Sequence, residues 1–381
     1  MTLAMVPQTV SARAGRPVRV LMTADAVGGV WTYAIDLARG LSASGVEVVL
    51  AVMGPPLDRG QRAEAAAVDG LTLVDTGLPL DWLARDRRAI DEVAEAVSDL
   101  ARFSDVDLVH LNSPALARPI EIPVVGVCHS CVATWWSAVR EGPMPDDFRW
   151  RTEALRRGME ACHLLIAPSG AFADAIARTY NVERPQVVHN GRRPVRTRIV
   201  DRGRSVFTAG RLWDAGKNLA TLDRAAALLD APVRAAGSVR GPHGESVEFR
   251  CLDLLGTLDT AGVRRELASA PVFASAALYE PFGLSVLEAA QAGCALVLSD
   301  IPTFRELWDG VADFVRAEDF EALAAACRRL LDDPAEAARR GAAARLRARR
   351  YNVEAMRAGV LSAYETVAPG LAQVFGREAA A

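Results

Sequence analysis

From Val18 onward the chain alternates unbroken apolar runs with longer segments of helical periodicity, separated by short turns marked by Gly or Pro. An apolar run without alternation suits a strand covered on both faces, and regular exchange of strand and helix implies parallel sheets flanked by helices. The pattern predicts strands at 18–22, 46–52, 71–74, 107–111, 123–128 and 163–167. Helices are expected at 30–43, ending near Gly45, and at 88–103, with Ser169 as the N-cap of another. A short strand at 187–189 runs into Asn190-Gly191, a turn signal.

Between 191 and 204 the composition shifts to Arg, Pro and Thr with few apolar residues, which marks a hinge. A second α/β series follows, with strands at 205–209, 233–236, 271–276 and 295–299 and helices near 218–229 and at 284–292, the latter stopping at Gly293. Two or three helices rich in Ala and Arg close the chain from Glu318 onward. The layout expected is a tail at 1–16, one α/β domain at 17–195, a second at 196–350, and a helical segment at 351–381 that crosses back to the first domain.

Size and composition agree with that division. The chain of 381 residues exceeds one typical core and suggests two domains of roughly 150–200 residues. Net charge is −3, so there is no general attraction to nucleic acid or an anionic membrane. Six dispersed cysteines read as reduced thiols, and the first sixteen residues lack the apolar stretch of a signal peptide. No run approaches the roughly 18 apolar residues that a membrane span requires. A soluble cytoplasmic protein is expected.

The most informative segment is Tyr279-Glu280-Pro281-Phe282-Gly283-Leu284-Ser285-Val286-Leu287-Glu288. Glu280 falls in the loop at a strand's carboxyl end and Glu288 early on the next helix; open parallel sheets bind ligands at that end. The Pro-Phe-Gly turn presents the helix's free N–H groups there, which suits an anion. Two carboxylates would repel that anion unless they hold hydroxyls and cations stand nearby. A nucleotide diphosphate-sugar has hydroxyls at both ends and phosphates between. Arg211 and Lys217 qualify as the cations, in Gly210-Arg211-Leu212-Trp213-Asp214-Ala215-Gly216-Lys217-Asn218 at the end of the second series' first strand. Gly210 and Gly216 are expected to permit tight turns there.

These two segments resemble the Glu-x7-Glu signature and the Gly-Arg-Leu…Lys-Asn stretch of the retaining glycosyltransferases of family four. The resemblance covers nearly the whole chain. It implies the GT-B fold: two Rossmann-like domains facing each other across a cleft, the first on the acceptor side and the second binding the nucleotide-sugar. It assigns Glu280 to donor-sugar hydroxyls near the reacting carbon, Glu288 to the nucleotide ribose, and Arg211 with Lys217 to the diphosphate as it leaves. Phe282, Gly283, Leu284 and Ser285, within the signature, are expected to line the donor. Gly28-Gly29, after the first strand, matches a family Gly-Gly pair whose N–H groups approach the donor phosphate; it is not the dinucleotide pattern G-x-G-x-x-G. His129 stands where the family often has a His close to donor sugar and acceptor, although a lone His is more often structural.

Other features carry less. Cys128 and Cys131 bracket His129, but no second C-x-x-C supplies a zinc set. Trp135-Trp136 opens what reads as a long loop rich in Pro and Gly, with core anchoring favoured over sugar stacking or membrane contact. Asn190-Gly191 matches a family turn with Asn190 as a donor contact, but Arg192-Arg193 replace the hydrophobic residue and Asp that usually follow. Asp105-Val106-Asp107 reads as a solvated turn, and the family as a rule needs no metal. The basic linker and the arginines of 339–350 leave peripheral membrane contact open, with solvated helix faces the commoner outcome.

The expectation is a metal-independent hexosyl transfer from a nucleotide diphosphate-sugar, with no cofactor, to a glycan, lipid-linked or small-molecule hydroxyl. Two alternatives stand beside it: a GT-B sugar phosphorylase or nucleotide-sugar epimerase, and a non-catalytic partner protein.

Overall fold

A computed structural model describes residues 16–194, 202–242 and 244–371. Most of the expected 1–16 tail, the centre of the 191–204 hinge with its 195/196 boundary, and residues 372–381 lie outside the described residues. The chain divides into two compact units. The first holds the described residues of Met1–Trp136, Gly142–Gly191 and Val353–Ala381; the second holds those of Ser137–Glu141 and Arg192–Asn352.

Elements in the first part of the chain are β1 (Val18–Asp25), α1 (Gly29–Ser42), β2 (Val46–Met53), α2 (Arg59–Ala66), β3 (Leu71–Asp75), α3 (Arg87–Phe103), β4 (Leu108–Leu111) and β5 (Val124–Val127). They are followed by α4 (Val132–Val139), α5 (Asp146–Ala161), β6 (Leu164–Ala167), α6 (Gly170–Tyr180) and β7 (Gln186–Val187). The seven strands form one parallel sheet in the order β3-β2-β1-β4-β5-β6-β7. Its central strands are buried on both faces, as their unbroken apolar runs require: Val20, Leu21, Met22 and Ala24 have no exposure. Ser169 caps α6 as expected, accepting from the Phe172 N–H at 3.2 Å.

The second unit comprises β8 (Val206–Ala209), α7 (Leu219–Ala226), β9 (Val233–Ala236), β10 (Leu252–Gly256), α8 (Thr260–Ser269), β11 (Val272–Ser275), α9 (Leu284–Ala292) and β12 (Ala295–Ser299). It continues through α10 (Pro302–Trp308), β13 (Ala312–Val315), α11 (Phe320–Asp332) and α12 (Pro334–Ala348). Its parallel sheet runs β10-β9-β8-β11-β12-β13. α9 ends on Gly293 in the left-handed conformation, φ 79°. The last helix, α13 (Val353–Val367), belongs to the first unit and packs on α1, where Gly40 leaves room for Val353 and Arg357.

Three readings change. Trp135 and Trp136 stand on α4, with α5 following, so the expected long loop is mostly helix. The small residue that lets α5 dock is Gly158, where any Cβ would strike the Pro114 carbonyl. Asp107 is not a solvated turn residue: its carboxylate accepts from Arg16 at 2.7 Å and from the Arg19 backbone N–H at 2.9 Å, tying the starts of β1 and β4 together. Gly216 needs no unusual backbone freedom, since it sits in a short 3-10 turn at Ala215–Lys217. No described helix is long and apolar enough to cross a membrane.

Candidate functional site

In each sheet the chain begins at the centre, winds out to one edge, and then restarts on the other side of its first strand. Connections from the two central strands therefore leave in opposite directions and open a crevice at their carboxyl ends. In the second unit those strands are β8 and β11. Arg211 and Lys217 follow β8, and Glu280 follows β11.

The structure brings Lys217 and Glu280 into a direct ion pair between Nζ and Oε2, with side-chain exposures of 21% and 13%. The loops that carry them are joined by the Gly216 carbonyl, which accepts the N–H groups of Leu278 at 2.9 Å and Tyr279 at 3.2 Å. Asn218 clamps the same junction, donating from Nδ2 to the carbonyls of Ala276 at 3.0 Å and Ala317 at 2.8 Å. Arg211 is more exposed and pairs with Asp214 at 2.8 Å. Asp214 in turn accepts the Gly216 N–H at 2.9 Å. Both cations are thus held by carboxylates fixed to the loop, which limits the side-chain entropy lost when an anion arrives.

Gly283 begins α9 in the left-handed region, φ 90°, and a Cβ there would press on Phe304 and on Glu280. Only glycine lets the chain turn from Glu280 into the helix at this spacing. Phe282 is buried at 3% exposure, its ring edge-on to Tyr351 at 5.8 Å. Its side chain therefore anchors the turn that leads from Glu280 into α9. Leu284 and Ser285 are half-buried on the first turn of α9. Glu288 is held apart from the Lys217–Glu280 pair by its own partner: Arg192 Nε and Nη2 reach Oε1 at 3.0 and 2.7 Å. Arg192, which follows the Asn190-Gly191 turn, thus orients the Glu288 carboxylate.

In the first unit the central strands are β1 and β4. Gly28 caps α1 at φ 80°, ψ −160°, a region open to glycine alone, and both Gly28 and Gly29 are exposed. The free N–H groups that begin α1 are therefore presented to solvent. His129 follows β5. Its Nε2 lies 2.8 Å from Asn112 Oδ1, and its ring meets Tyr33 edge-on at 4.5 Å. Burial lowers its pKa to about 4, and that of His110, under the same strand ends, to about 3. Asn190 is buried at 5% exposure.

Sequence reasoning missed a second cluster beside Gly28. Asp25 ends β1, and burial, reinforced by Asp81, raises its pKa to about 7. The Trp82 indole donates to Asp25 Oδ2 at 2.9 Å, and Ser113 donates to Asp81. Burial raises Asp81 as well. Only the position of Asp25 at a strand's carboxyl end signalled it. Among the described residues no three His, Cys, Asp or Glu side chains converge as a metal site. Cys128 and Cys131 are buried, and the Cys131 thiol lies 2.8 Å from Thr134 Oγ1. On α12, Arg339 and Arg340 pair with Glu336 and Asp313, and Arg347 donates to the Leu307 and Asp309 carbonyls, so much of the basic face is spent internally.

Comparison with known proteins matches residues 27–196 to Glycosyltransferase Family 4 and residues 203–333 to Glycosyl transferases group 1. A phosphatidyl-myo-inositol mannosyltransferase of Mycobacterium leprae is 27% identical, over 90% of this chain and 94% of its own. A glycogen synthase of Mycobacterium tuberculosis is 28% identical, over 84% of this chain and 86% of its own. Among solved structures, a sucrose-phosphate synthase from Thermosynechococcus elongatus superposes with a TM-score of 0.75 at 18% identity, covering 92% of this chain and 99% of that one. Anabaena HepE in complex with UDP and glucose gives 0.66 at 15%, covering 92% and 100%. With both of its α/β units matched in order, the chain belongs to the family-four glycosyltransferases of GT-B fold.

Proposed function

We propose that this glycosyltransferase moves a hexosyl group from a nucleotide diphosphate-sugar to an acceptor hydroxyl and keeps the anomeric configuration. The observation that carries the reading is the Lys217–Glu280 pair at the crevice of the second unit, with Arg211 and the start of α9 alongside. Cleaving the bond between sugar and diphosphate develops negative charge on the departing oxygen. Lys217, Arg211 and the free N–H groups of α9 are preorganised cations and dipoles that stabilise it. In this reading these groups, and not a metal ion, offset the charge of the leaving group.

Glu280 has two jobs in sequence. Before the donor arrives it neutralises Lys217; a partly buried pair of this kind contributes about 1 kcal/mol or less net, so an incoming phosphate displaces it readily. Once Lys217 turns to phosphate, Glu280 is left to accept hydrogen bonds from sugar hydroxyls. Glu288, oriented by Arg192, accepts from the ribose. Relatives named for mannosyl transfer and for glycogen synthesis support a hexose as the group moved.

The test is a screen of UDP-, GDP- and ADP-hexoses monitored by nucleotide release, with pooled sugar and lipid acceptors and with EDTA present. Proton NMR of the product reads the anomeric configuration. Release that depends on acceptor, persists in EDTA and gives the donor's configuration supports the reading. Inverted product, dependence on free phosphate, or binding of no nucleotide-sugar contradicts it.

A further inference from the structure

We propose that Asn112 is a positioning residue that fixes His129 in the tautomer bearing its proton on Nε2, leaving Nδ1 to accept a hydrogen bond from a substrate hydroxyl. The inference rests on the transferase reading only for the identity of that hydroxyl; the tautomer follows from geometry within the first unit.

Asn112 follows β4 and is buried at 7% exposure. Its side-chain Nδ2 lies 2.6 Å from the Thr23 carbonyl of β1. A carbonyl can only accept, so the amide must present its N–H₂ to Thr23 and its oxygen to the opposite side. That oxygen is 2.8 Å from His129 Nε2 and can itself only accept, so Nε2 must donate. The backbone N–H of Asn112 donates to Thr23 Oγ1 at 2.9 Å, which holds the main chain at Asn112 against β1. Three hydrogen bonds thus run from β1 through the end of β4 to the residue after β5, and they set the orientation of one ring.

His129 Nδ1 has no hydrogen-bond partner among the described residues, and it is not one of the buried polar atoms left sealed without one. The titratable groups facing the ring are His110 from β4 and Tyr33 from α1. Burial keeps both uncharged at neutral pH, and no carboxylate is hydrogen-bonded to the imidazole. The ring is therefore neutral, with one lone pair facing outward. Such a group accepts a proton-bearing oxygen and cannot act as a cation for phosphate. This separates His129 from Lys217 and Arg211 and directs it to a hydroxyl of the sugar or the acceptor. An aspartate in place of Asn112 would reverse that chemistry by holding the ring as an imidazolium.

Long-range nitrogen–proton NMR of histidine-labelled wild-type protein decides the tautomer, with His129 assigned by comparison with His129→Gln. The expected spectrum shows Nε2 protonated and Nδ1 bare from pH 8 to pH 5.5. Asn112→Asp should shift the acid limb of kcat upward by about one pH unit or more and lower kcat at pH 7 about tenfold, with donor KM changed less than about twofold. Asn112→Ala should also lose about tenfold in kcat and show both tautomers. A wild-type ring protonated on Nδ1, or Asn112→Asp with an unmoved pH profile, overturns the proposal. The wild-type spectrum decides even if neither variant folds. Turnover of no nucleotide-sugar would contradict the transferase reading alone, whereas an Nδ1–H ring in a fully active enzyme would contradict this inference alone.

Discussion

The two units carry similar sheets but end them in opposite chemistry. At the carboxyl ends of β8 and β11 the second unit sets charges in pairs: Lys217 with Glu280, Arg211 with Asp214, and Arg192 with Glu288 nearby. Within and after β1, β4 and β5, and at Asp81 in the connection after β3, the first unit sets groups whose burial favours the uncharged form: His129 and His110 held low, Asp25 and Asp81 held high. A row of paired charges can exchange partners with a diphosphate. The uncharged histidine rings of the first unit can meet hydroxyls without competing for the anion. The same topology thus offers two kinds of recognition, set by the few residues at the strand ends.

The largest effect that could break this contrast is on turnover. Lys217→Ala should lower kcat by about 10³-fold and Arg211→Ala, the more exposed cation, by about 10²-fold, with circular dichroism unchanged. Near-wild-type kcat in both would remove the second unit's claim to the phosphates.

Next come the two glycines that open the helices. Gly283→Ala combines a positive φ with contacts on Phe304 and Glu280, and should cost about 2–3 kcal/mol by urea unfolding. Gly28→Ala meets only the backbone strain, with nothing near its Cβ, and should cost about 1–2 kcal/mol. Equal losses would mean that packing at Gly283 contributes nothing.

A pH effect sharpens the first unit's side of the comparison. Asp25 is raised to about 7, so the folded state keeps its proton where the unfolded chain has lost it. Its contribution is complete below pH 3.8 and is lost as pH rises through about 7. Asp25→Asn should therefore stabilise the protein at pH 8 by about 1–2 kcal/mol relative to wild type and change little at pH 4. Histidine runs the other way. With His129 held to about 4, folding is favoured above the unfolded pKa of about 6.5, and that share is lost as pH falls towards 4.

Smallest is the Arg192–Glu288 pair. Arg192→Ala should raise donor KM about fivefold through loss of orientation at Glu288, leaving kcat within about twofold. A large kcat defect instead would place Arg192 on the leaving group.

Much of the second unit was legible because its central elements are uniformly apolar or cleanly capped. The runs at 233–236, 284–292 and 295–299 coincide with β9, α9 and β12. Edge elements were not legible. β10 buries little beyond Leu252 and exposes Asp253 and Leu254, so it lacks the apolar run of a central strand. α5 buries only Ala154, Gly158 and Met159 of its sixteen residues, too thin a stripe to reveal a helix. The strand-end motifs around Glu280, Lys217, Gly28 and His129 were visible because each follows an apolar run. Their partners were not, since Arg192 lies 96 residues from Glu288 and Asn112 lies 17 from His129. Sequence spacing reports neighbours within an element, whereas these contacts are made by strand order.

The central claim is that the second unit's Lys217 binds the diphosphate while Glu280 binds the sugar. Calorimetric titration of the bare nucleoside diphosphate and of its sugar conjugate into wild type, Lys217→Ala and Glu280→Gln tests it most directly. Lys217→Ala should weaken both ligands at least about tenfold, and Glu280→Gln should weaken only the conjugate, leaving the bare nucleotide as tight as in wild type or tighter. Wild-type affinity of Lys217→Ala for the bare nucleotide would contradict the assignment.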